Sequence, residues 1–548
     1  MLPKISTSLA LHAGSRAVTV AEGNPTILDA WQVLQGAHVP EGRSVVADFR
    51  CDWIGLGVAI RLAEEGHPVT LGVSGYYAGQ RIQQYVRDSM IAEATRRGVQ
   101  IVPLVRPYGA DDDTVYLQHV LTDCPHREKL GWLEVSHLLS DGLMYNFDLA
   151  RFYAKIQQDM ADSQLEDGLV PDIAPEYTVF QGGFRDSPEW GSACVINPWN
   201  AWTAYGDARI LETAYGTMSR YAAYLAGRAE GHIVSHGLGD WYDIGPNPPG
   251  ESQLTSKGLT ATAVYYQDLD ILARTAALLG RTEDAARFRE QAEQARRAFN
   301  ERFYRSAEQH YDRNSQTANA MALALGLAEP EHRAGVLGSL LSGIASNGYR
   351  VTAGDVGFSY LVRALTEAEQ GETLYRMVTQ DTGPGYVWQL QRGATTLTEA
   401  WDAGTHSSHN HCMLGHVEGW FYRGLGGIRA DEPGFRRFIL RPQMPAGLES
   451  VTVRYRSARG EIISAWKRAG GTVSWLVQVP PNTGARVYIP AAAGAEVLES
   501  GQPLSEAAGV HDPRREGGAV VLQADAGVYV FTWPDHAGAP APEVGGVS

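Results

Sequence analysis

The spacing of apolar positions changes twice along the chain. From Arg43 to about Leu121, short apolar runs alternate with helical stretches: SVVADF, GVAIRLAEEGH, VTLGVSG, IQQYVRDSMIAEATRRG and VQIVPLV. Such runs separated by amphipathic segments predict a βαβαβ unit of a parallel sheet. From about Asp123 to Ile428 the dominant period is helical. Ala285, Phe288, Ala292, Ala295, Phe299 and Phe303 recur at steps of three and four, and the segment before them carries Leu269, Leu272, Ala276 and Leu279 and stops at Gly280. Two apolar stripes divided by a glycine predict an antiparallel helical hairpin. Related segments at 149–165, 192–205 and 210–225 bring the expected total to about eleven helices. After Gly427 the period falls to two, with Val451, Val453 and Tyr455 alternating with Thr452, Arg454 and Arg456, and again through Val473, Trp475, Val477 and Val479. That alternation predicts antiparallel strands with one buried face. Further strands at 487–489 and 528–531 extend the expectation to a β-sandwich ending near Pro534.

Composition narrows the function. The chain has 548 residues, 44% of them hydrophobic, enough for several cored domains. Its 46 Lys and Arg face 62 Asp and Glu, a formal charge of −16, which argues against nucleic acid or anionic membranes as partners. Cys51, Cys124, Cys194 and Cys412 are scattered without a C-x-x-C pair, so reduced thiols in a cytoplasmic protein are expected. No run approaches the roughly 18 apolar residues of a membrane span. His406, His409, His411 and His416 lack the spacing of an H-E-x-x-H ligand set, so no metal is expected, and no cofactor is indicated. The 13 Trp and 25 Tyr matter more, because aromatic faces serve both as core filler and as platforms for sugar rings.

Four segments between the helices concentrate tryptophan, acid and glycine: DCPHREKLGWLE from Asp123, GGFRDSPEWGSA from Gly182, GLGDWYDIGPNPPGE from Gly237 and TTLTEAWDAGTHSSHNHC from Thr395. Indole beside carboxylate suits a glycosidase, where a ring face packs on sugar C–H groups while acids bind hydroxyls and move protons. The run Asp123-Cys124-Pro125-His126-Arg127-Glu128-Lys129-Leu130-Gly131-Trp132 resembles the signature of the α-L-rhamnosidases of glycoside hydrolase family 78. The resemblance implies an (α/α)6 barrel of six helical hairpins followed by a C-terminal β-sandwich, and hydrolysis of terminal α-L-rhamnosyl bonds with inversion. It further implies Glu128 as general acid, Glu399 as general base, and Asp123 as a ligand of the rhamnose hydroxyls, with His411 of the Asn410-His411 pair at the sugar. Arg127, Trp132, Trp190, Asp240, Trp241 and Trp401 complete the expected substrate-binding set. Where many members have Gly-Trp-Thr-Gly-Asp, this chain has Gly131-Trp132-Leu133-Glu134-Val135, so Glu134 is the available substitute for an acidic ligand. Thr398 stands where a tryptophan is frequent, pointing to a different subgroup and aglycone. The expected partner is a rhamnosylated small molecule or oligosaccharide.

The first 120 residues lie outside that pattern. From VVADFRCDWIGLGVAIRLAEEG onward they resemble part of the nucleotide-binding domain of NADH:flavin oxidoreductases, but only Gly55 and Gly57 precede Ile60, so the G-x-G-x-x-G turn is incomplete. The expected organisation is a partial Rossmann-like segment at 1–121, a barrel at 122–429 lacking its first helix, a β-sandwich at 430–535 and a disordered tail at 536–548. Two alternatives stand beside the hydrolase: a nucleotide-binding or oxidoreductase-related fusion protein, and a non-catalytic carbohydrate-binding protein.

Overall fold

The computed structural model describes residues 4–7, 27–39, 42–75, 77–103, 105–110, 115–119, 130–176, 178–404 and 407–535. They divide into two compact units, Met1–Thr122 with Pro175–Val179, and Asp123–Ala174 with Phe180–Ser548. The expected tail at 536–548 lies outside the described residues.

The first unit holds β1 (Lys4–Thr7), β2 (Ile27–Leu28), α1 (Ala30–Leu34), β3 (Ser44–Asp48), α2 (Trp53–Glu64), β4 (Val69–Val73), α3 (Gln84–Arg96) and β5 (Gln100–Val102). An antiparallel pair, β6 (Val105–Ala110) and β7 (Val115–His119), follows. The sheet order is β2-β1-β3-β4-β5, with every pairing parallel. Strands β3 and β4 are buried at every position, which is why they read as unbroken apolar runs rather than alternations. The βαβαβ expectation therefore holds for β3 to β5. Strands β1 and β2 escaped it because four and two residues are too short to show a period.

The second unit begins with helices. These are α4 (Glu134–Leu138), α5 (Ser140–Asn146), α6 (Ala150–Ser163), α7 (Pro188–Gly191), α8 (Ala193–Tyr205), α9 (Arg209–Arg228), α10 (Lys257–Leu278) and α11 (Thr282–Phe303). A small hairpin, β8 (Tyr304–Arg305) and β9 (His310–Tyr311), precedes α12 (Gln316–Ala324), α13 (Arg333–Ser346), α14 (Asp355–Glu367), α15 (Gly371–Thr379), α16 (Tyr386–Gln391) and α17 (Val417–Trp420). Helix α17 is the middle of one helical segment, Met413 to Leu425, that opens as a 3-10 turn and closes as a π turn. The six positions read as a stripe on α11 are the six buried on it, and Gly280, at φ +74°, makes the left-handed turn between α10 and α11.

Six inner segments form the ring: α4–α5, α7–α8, α10, α12, α14 and the α17 segment, with α17 packed back on α5 to close it. Helices α6, α9, α11, α13 and α15 form the outer layer, and no sixth outer helix stands among the described residues. Because inner and outer helices alternate along the chain, all inner helices run in the same direction. No helix among the described residues is long and apolar enough to cross a membrane.

The sandwich follows as β10 (Ile428–Ala430), β11 (Arg437–Leu440), β12 (Ser450–Ser457), β13 (Gly460–Ala469), β14 (Thr472–Val479), β15 (Gly484–Ile489), β16 (Leu498–Glu499), β17 (Gln502–Pro503), β18 (Val510–Glu516), β19 (Ala519–Ala524) and β20 (Gly527–Pro534). One sheet is β10-β11-β15-β19-β18 and the other β12-β13-β14-β20-β16-β17. Alternation on β14 buries Val473, Trp475, Val477 and Val479, as the period of two requires. The pairing of β11 with β15 is parallel, a departure from the expected antiparallel domain. Trp466 fixes the sandwich to the ring: its indole, 1% exposed, donates to the Leu425 carbonyl at 3.0 Å. Beside it Tyr145 of α5 stacks on Tyr422 at 4.7 Å and meets Tyr455 of β12 edge-on at 4.8 Å. Replacing Trp466 by Ala removes a fully packed indole and its hydrogen bond. The expected cost is about 3–5 kcal/mol, read as a lower urea midpoint with an unchanged denaturant slope.

Candidate functional site

The connections of the ring are asymmetric. Turns from inner to outer helices are short, as at 206–208 and 279–281, whereas those from outer to inner helices are long, as at 164–187, 229–256 and 380–412. The expected site residues that are described fall in or beside the long connections, at the N-terminal ends of the inner helices. Long loops held by a rigid scaffold are where binding and catalytic groups are assembled.

The 396–411 loop folds back on itself. Glu399 donates its backbone N–H to the Ser408 carbonyl at 2.8 Å, and its Oε2 accepts from the Ser408 N–H at 2.8 Å. Two residues outward, His411 donates its N–H to the Leu397 carbonyl at 3.1 Å. Ala403, at φ +54°, turns the tip. These clamps fix a carboxylate and an imidazole on one small ribbon, each 3% exposed. Thr398 is buried in the same ribbon and spends its hydroxyl on the Ala400 carbonyl at 2.7 Å.

The 237–255 loop lies alongside. Ser407 donates to the Tyr242 hydroxyl at 3.3 Å, joining the two loops. The half-buried ring of Trp241 meets Phe184 at 5.5 Å, and Phe184 and Phe180 flank Trp132 at 6.4 and 5.3 Å. Trp132, Trp241, Glu399 and His411 are thus linked through an aromatic wall around one mouth of the ring. Phe180 and Phe184 were not picked out from the sequence; their place beside the Gly182 segment was the available signal.

Asp240 has a different task from the expected one. It is fully buried, Oδ2 accepting from the Gly354 N–H at 3.0 Å and the Thr317 hydroxyl, and Oδ1 from the Gly357 N–H at 2.7 Å. It caps α14 and ties in α12, which leaves it no face for sugar hydroxyls. Gly354 is required there, since a Cβ would stand 2.1 Å from the Trp241 carbonyl oxygen. Trp401 and Trp190 are also interior, at 0% and 2% exposure, the former donating Nε1–H to the Ala353 carbonyl at 3.0 Å. Both are core rather than stacking platforms. Glu134, the first residue of α4, is buried at the same mouth. Asp123, Arg127 and Glu128 lie outside the described residues.

Sequence reasoning missed an interior layer of acids. Asp172 accepts from the Ser187 N–H at 2.9 Å, and Asp268 from the Ser192 hydroxyl at 2.6 Å. Glu189 sits with the Thr260 hydroxyl facing it, and His137 donates to its backbone carbonyl at 2.7 Å. Burial pushes Asp172 and Asp268 well above the usual carboxylate range, and Asp240 and Glu189 up to about 7. Burial also pushes His137 down to about 4 and His416 to about 3, so both imidazoles stay neutral.

The turn between β3 and α2 is the place for a nucleotide's phosphates, and acids fill it. Asp48 accepts from the N–H groups of Arg50 and Cys51 at 3.1 and 2.9 Å, and Asp52 from that of Ile54 at 3.0 Å. A Cβ on Gly55 would lie 2.3 Å from Asp48 Cγ, so that glycine makes room for a carboxyl rather than for pyrophosphate. An anion approaching this helix end meets carboxyls where a phosphate loop presents N–H donors.

Glu189 gives a pH test of the interior. Its proton is held more tightly folded than unfolded, so its contribution to stability is complete below its ordinary 4.5 and lost as pH rises to about 7. The stability of the wild type relative to Glu189→Gln is therefore expected to fall across that window by up to a few kcal/mol, measured as urea midpoints at a series of pH values. A difference that rises with pH would contradict the neutral interior acid.

Comparison with known proteins matches this architecture. A family model described as the bacterial α-L-rhamnosidase six-hairpin glycosidase domain covers residues 115–425, and one for the bacterial α-L-rhamnosidase C-terminal domain covers 427–502. The α-L-rhamnosidase of Formosa agariphila is 27% identical over 422 residues, 75% of this chain and 45% of that protein. That of Streptomyces avermitilis is 28% identical over 424 residues, 75% and 39%. The solved α-L-rhamnosidase from Dictyoglumus thermophilum superposes with a TM-score of 0.71 at 30% identity, covering 76% of this chain and 47% of that one. The Streptomyces avermitilis enzyme complexed with L-rhamnose gives 0.69 at 28% identity, covering 76% and 39%. This chain thus spans less than half the length of these relatives. The likeness of residues from about 40 to 121 to an oxidoreductase nucleotide domain finds no support in these comparisons. With six inner helices in a closed ring, a sandwich behind them and a family model covering more than half its length, the chain belongs to the bacterial α-L-rhamnosidase six-hairpin glycosidase family.

Proposed function

We propose that the chain releases terminal α-L-rhamnose from rhamnosides by an inverting acid and base mechanism. The observation that carries this reading is the clamped ribbon that holds Glu399 and His411 together beside the aromatic wall of Trp132 and Trp241. In the proposed reaction the Glu128 carboxyl gives its proton to the glycosidic oxygen. The Glu399 carboxylate takes a proton from the water that attacks the anomeric carbon from the opposite face, and β-L-rhamnose leaves. Inverting pairs stand about 6.5–9.5 Å apart to admit that water. Asp123, Arg127 and His411 are proposed to bind the sugar hydroxyls and Trp132 and Trp241 to pack on its ring, with Glu134 as a further acidic ligand. Asp240, Trp190 and Trp401 are proposed as supports of that surface. A rhamnosylated small molecule or oligosaccharide is the proposed substrate.

The domain reading is likewise ours: a partial Rossmann-like segment to 121, a barrel at 122–429 and a sandwich at 430–535. The barrel is proposed to have lost its first helix, the sixth member of the outer layer. Loss of a packing neighbour loosens a site, and a catalytic group displaced by about 1 Å costs on the order of a hundredfold in rate.

The test is nitrophenol release from 4-nitrophenyl α-L-rhamnoside. Wild type is expected to turn over slowly, and Glu128→Gln and Glu399→Gln each to lower kcat by roughly 10²–10⁴-fold with KM little changed. Proton NMR of the first turnovers is expected to show the β anomer. Absence of release by the wild type overturns the activity, and a Glu399→Gln variant as fast as wild type overturns the assignment of the base.

A further inference from the structure

The ring has a second mouth. A cavity of about 490 Å³ opens among the C-terminal halves of the inner helices: Asn200 and Trp202 near the end of α8, Leu325 just past α12, Thr366 near the end of α14 and Arg423 in the last inner segment. Phe435 and Tyr455 wall it on the sandwich side. Glu399, Trp241 and His411 do not line it, so this space is distinct from the carboxylate-bearing mouth.

We propose that this cavity binds a neutral carbohydrate of about disaccharide size. Its volume falls within the roughly 300–1,000 Å³ of small-molecule sites. Trp199 and Trp202, both half-buried, stand 4.6 Å apart at 51°, and the Arg274 guanidinium lies over Trp199 at 4.3 Å. Arg274 covers one face of Trp199, so the half-exposed indole of Trp202 is the main surface offered to the C–H groups of a sugar.

The charges around them favour a neutral ligand. Arg274 pairs with Asp270 at 3.4 Å, Arg423 with Asp141 at 3.1 Å, and Arg363 with Glu367 at 3.1 Å. Asp431 and Glu432 are met by Arg486 and Arg436. Of the four lining arginines, Arg429 alone has no carboxylate partner among the described residues, so no row of uncompensated charge forms.

Buried polar side chains lie beneath the cavity floor. His416 lines it, is 5% exposed, and has no hydrogen-bond partner on either ring nitrogen. Arg429, also lining the cavity, gives Nε–H to the Arg423 carbonyl at 2.9 Å and leaves Nη2 without a partner. Both ring nitrogens of His416 and Nη2 of Arg429 are sealed from water-sized space, so these polar groups lie behind the cavity surface.

The test is calorimetric titration of the full chain with cellobiose and with maltose, neither of which carries a rhamnosyl group and so neither reports on the Glu399 mouth. Saturable millimolar binding of at least one is expected, weakened about tenfold by Trp202→Ala, kept by Trp202→Phe, and unchanged by Trp241→Ala. Hydroxyl-radical footprinting of the wild type, which needs no variant to fold, is expected to show Trp199 and Trp202 protected by the bound sugar and Trp241 not. No saturable binding of either disaccharide, or protection at Trp241 in place of Trp199 and Trp202, overturns the proposal. Failure here leaves rhamnoside hydrolysis untouched, since the two mouths are read by different ligands.

Discussion

The buried carboxyl of Asp240 sets the geometry of the Glu399 mouth. It joins the 237–255 loop to the first turns of two inner helices, through Thr317 of α12 and the N–H groups of Gly354 and Gly357 at the start of α14. The residue before that helix start, Ala353, holds the indole of Trp401, and Trp401 belongs to the ribbon that clamps Glu399. Each link is a hydrogen bond made in the interior, where an unmade one costs more than the same bond gains at a surface. The mouth is therefore positioned from below, by packed helix ends, rather than by contacts among exposed loop tips. That arrangement suits the proposed role of Glu399, because proton-transfer rates depend on sub-ångström placement.

Where residues acted through local spacing, the sequence was readable. The α11 stripe and the β14 alternation are short-range patterns set by one element packing on one core, and both emerge at the positions read. The ribbon of Glu399 and His411 was legible for a similar reason, as acid, histidine and tryptophan crowd into 18 residues. Asp240 was placed in the right loop and given the wrong neighbours. Its partners Thr317 and Gly357 lie 77 and 117 residues away, and nothing in Gly-Asp-Trp distinguishes a sugar ligand from a helix cap. Trp190 and Trp401 failed for the converse reason, since an indole beside an acid looks alike in a core and in a pocket until exposure is known.

The interior acids were invisible for a different reason. Asp172, Glu189 and Asp268 are single charges within apolar or ordinary loop text, and sequence inspection treats an acid as ionised. Once each is surrounded by helices the charged form is the costly one, and the group keeps its proton. The formal charge of −16 thus overstates the negative charge the folded chain carries near neutrality, because it counts these carboxyls as anions. Part of the acidic composition is consequently not a surface property at all.

The two mouths differ because one set of helices supplies both. Six inner segments running in the same direction place their positive dipole ends at the Glu399 mouth and their negative ends at the other. Acids gather at the first, with Glu134 and Asp355 each in the opening turn of its helix, while the protonated Glu189 beside them adds no charge. Arginines gather at the second, with Arg274, Arg363 and Arg423 toward the ends of theirs. Side-chain charge opposes dipole at each end, so neither mouth is left with the full field of the helix bundle. At the arginine end these three guanidinium groups are also paired with carboxylates, which leaves Arg429 as the uncompensated charge among the described lining residues. The proposed neutral polyol meets mostly paired charge at that end, and the proposed acid and base chemistry belongs to the end where carboxyls, not arginines, gather.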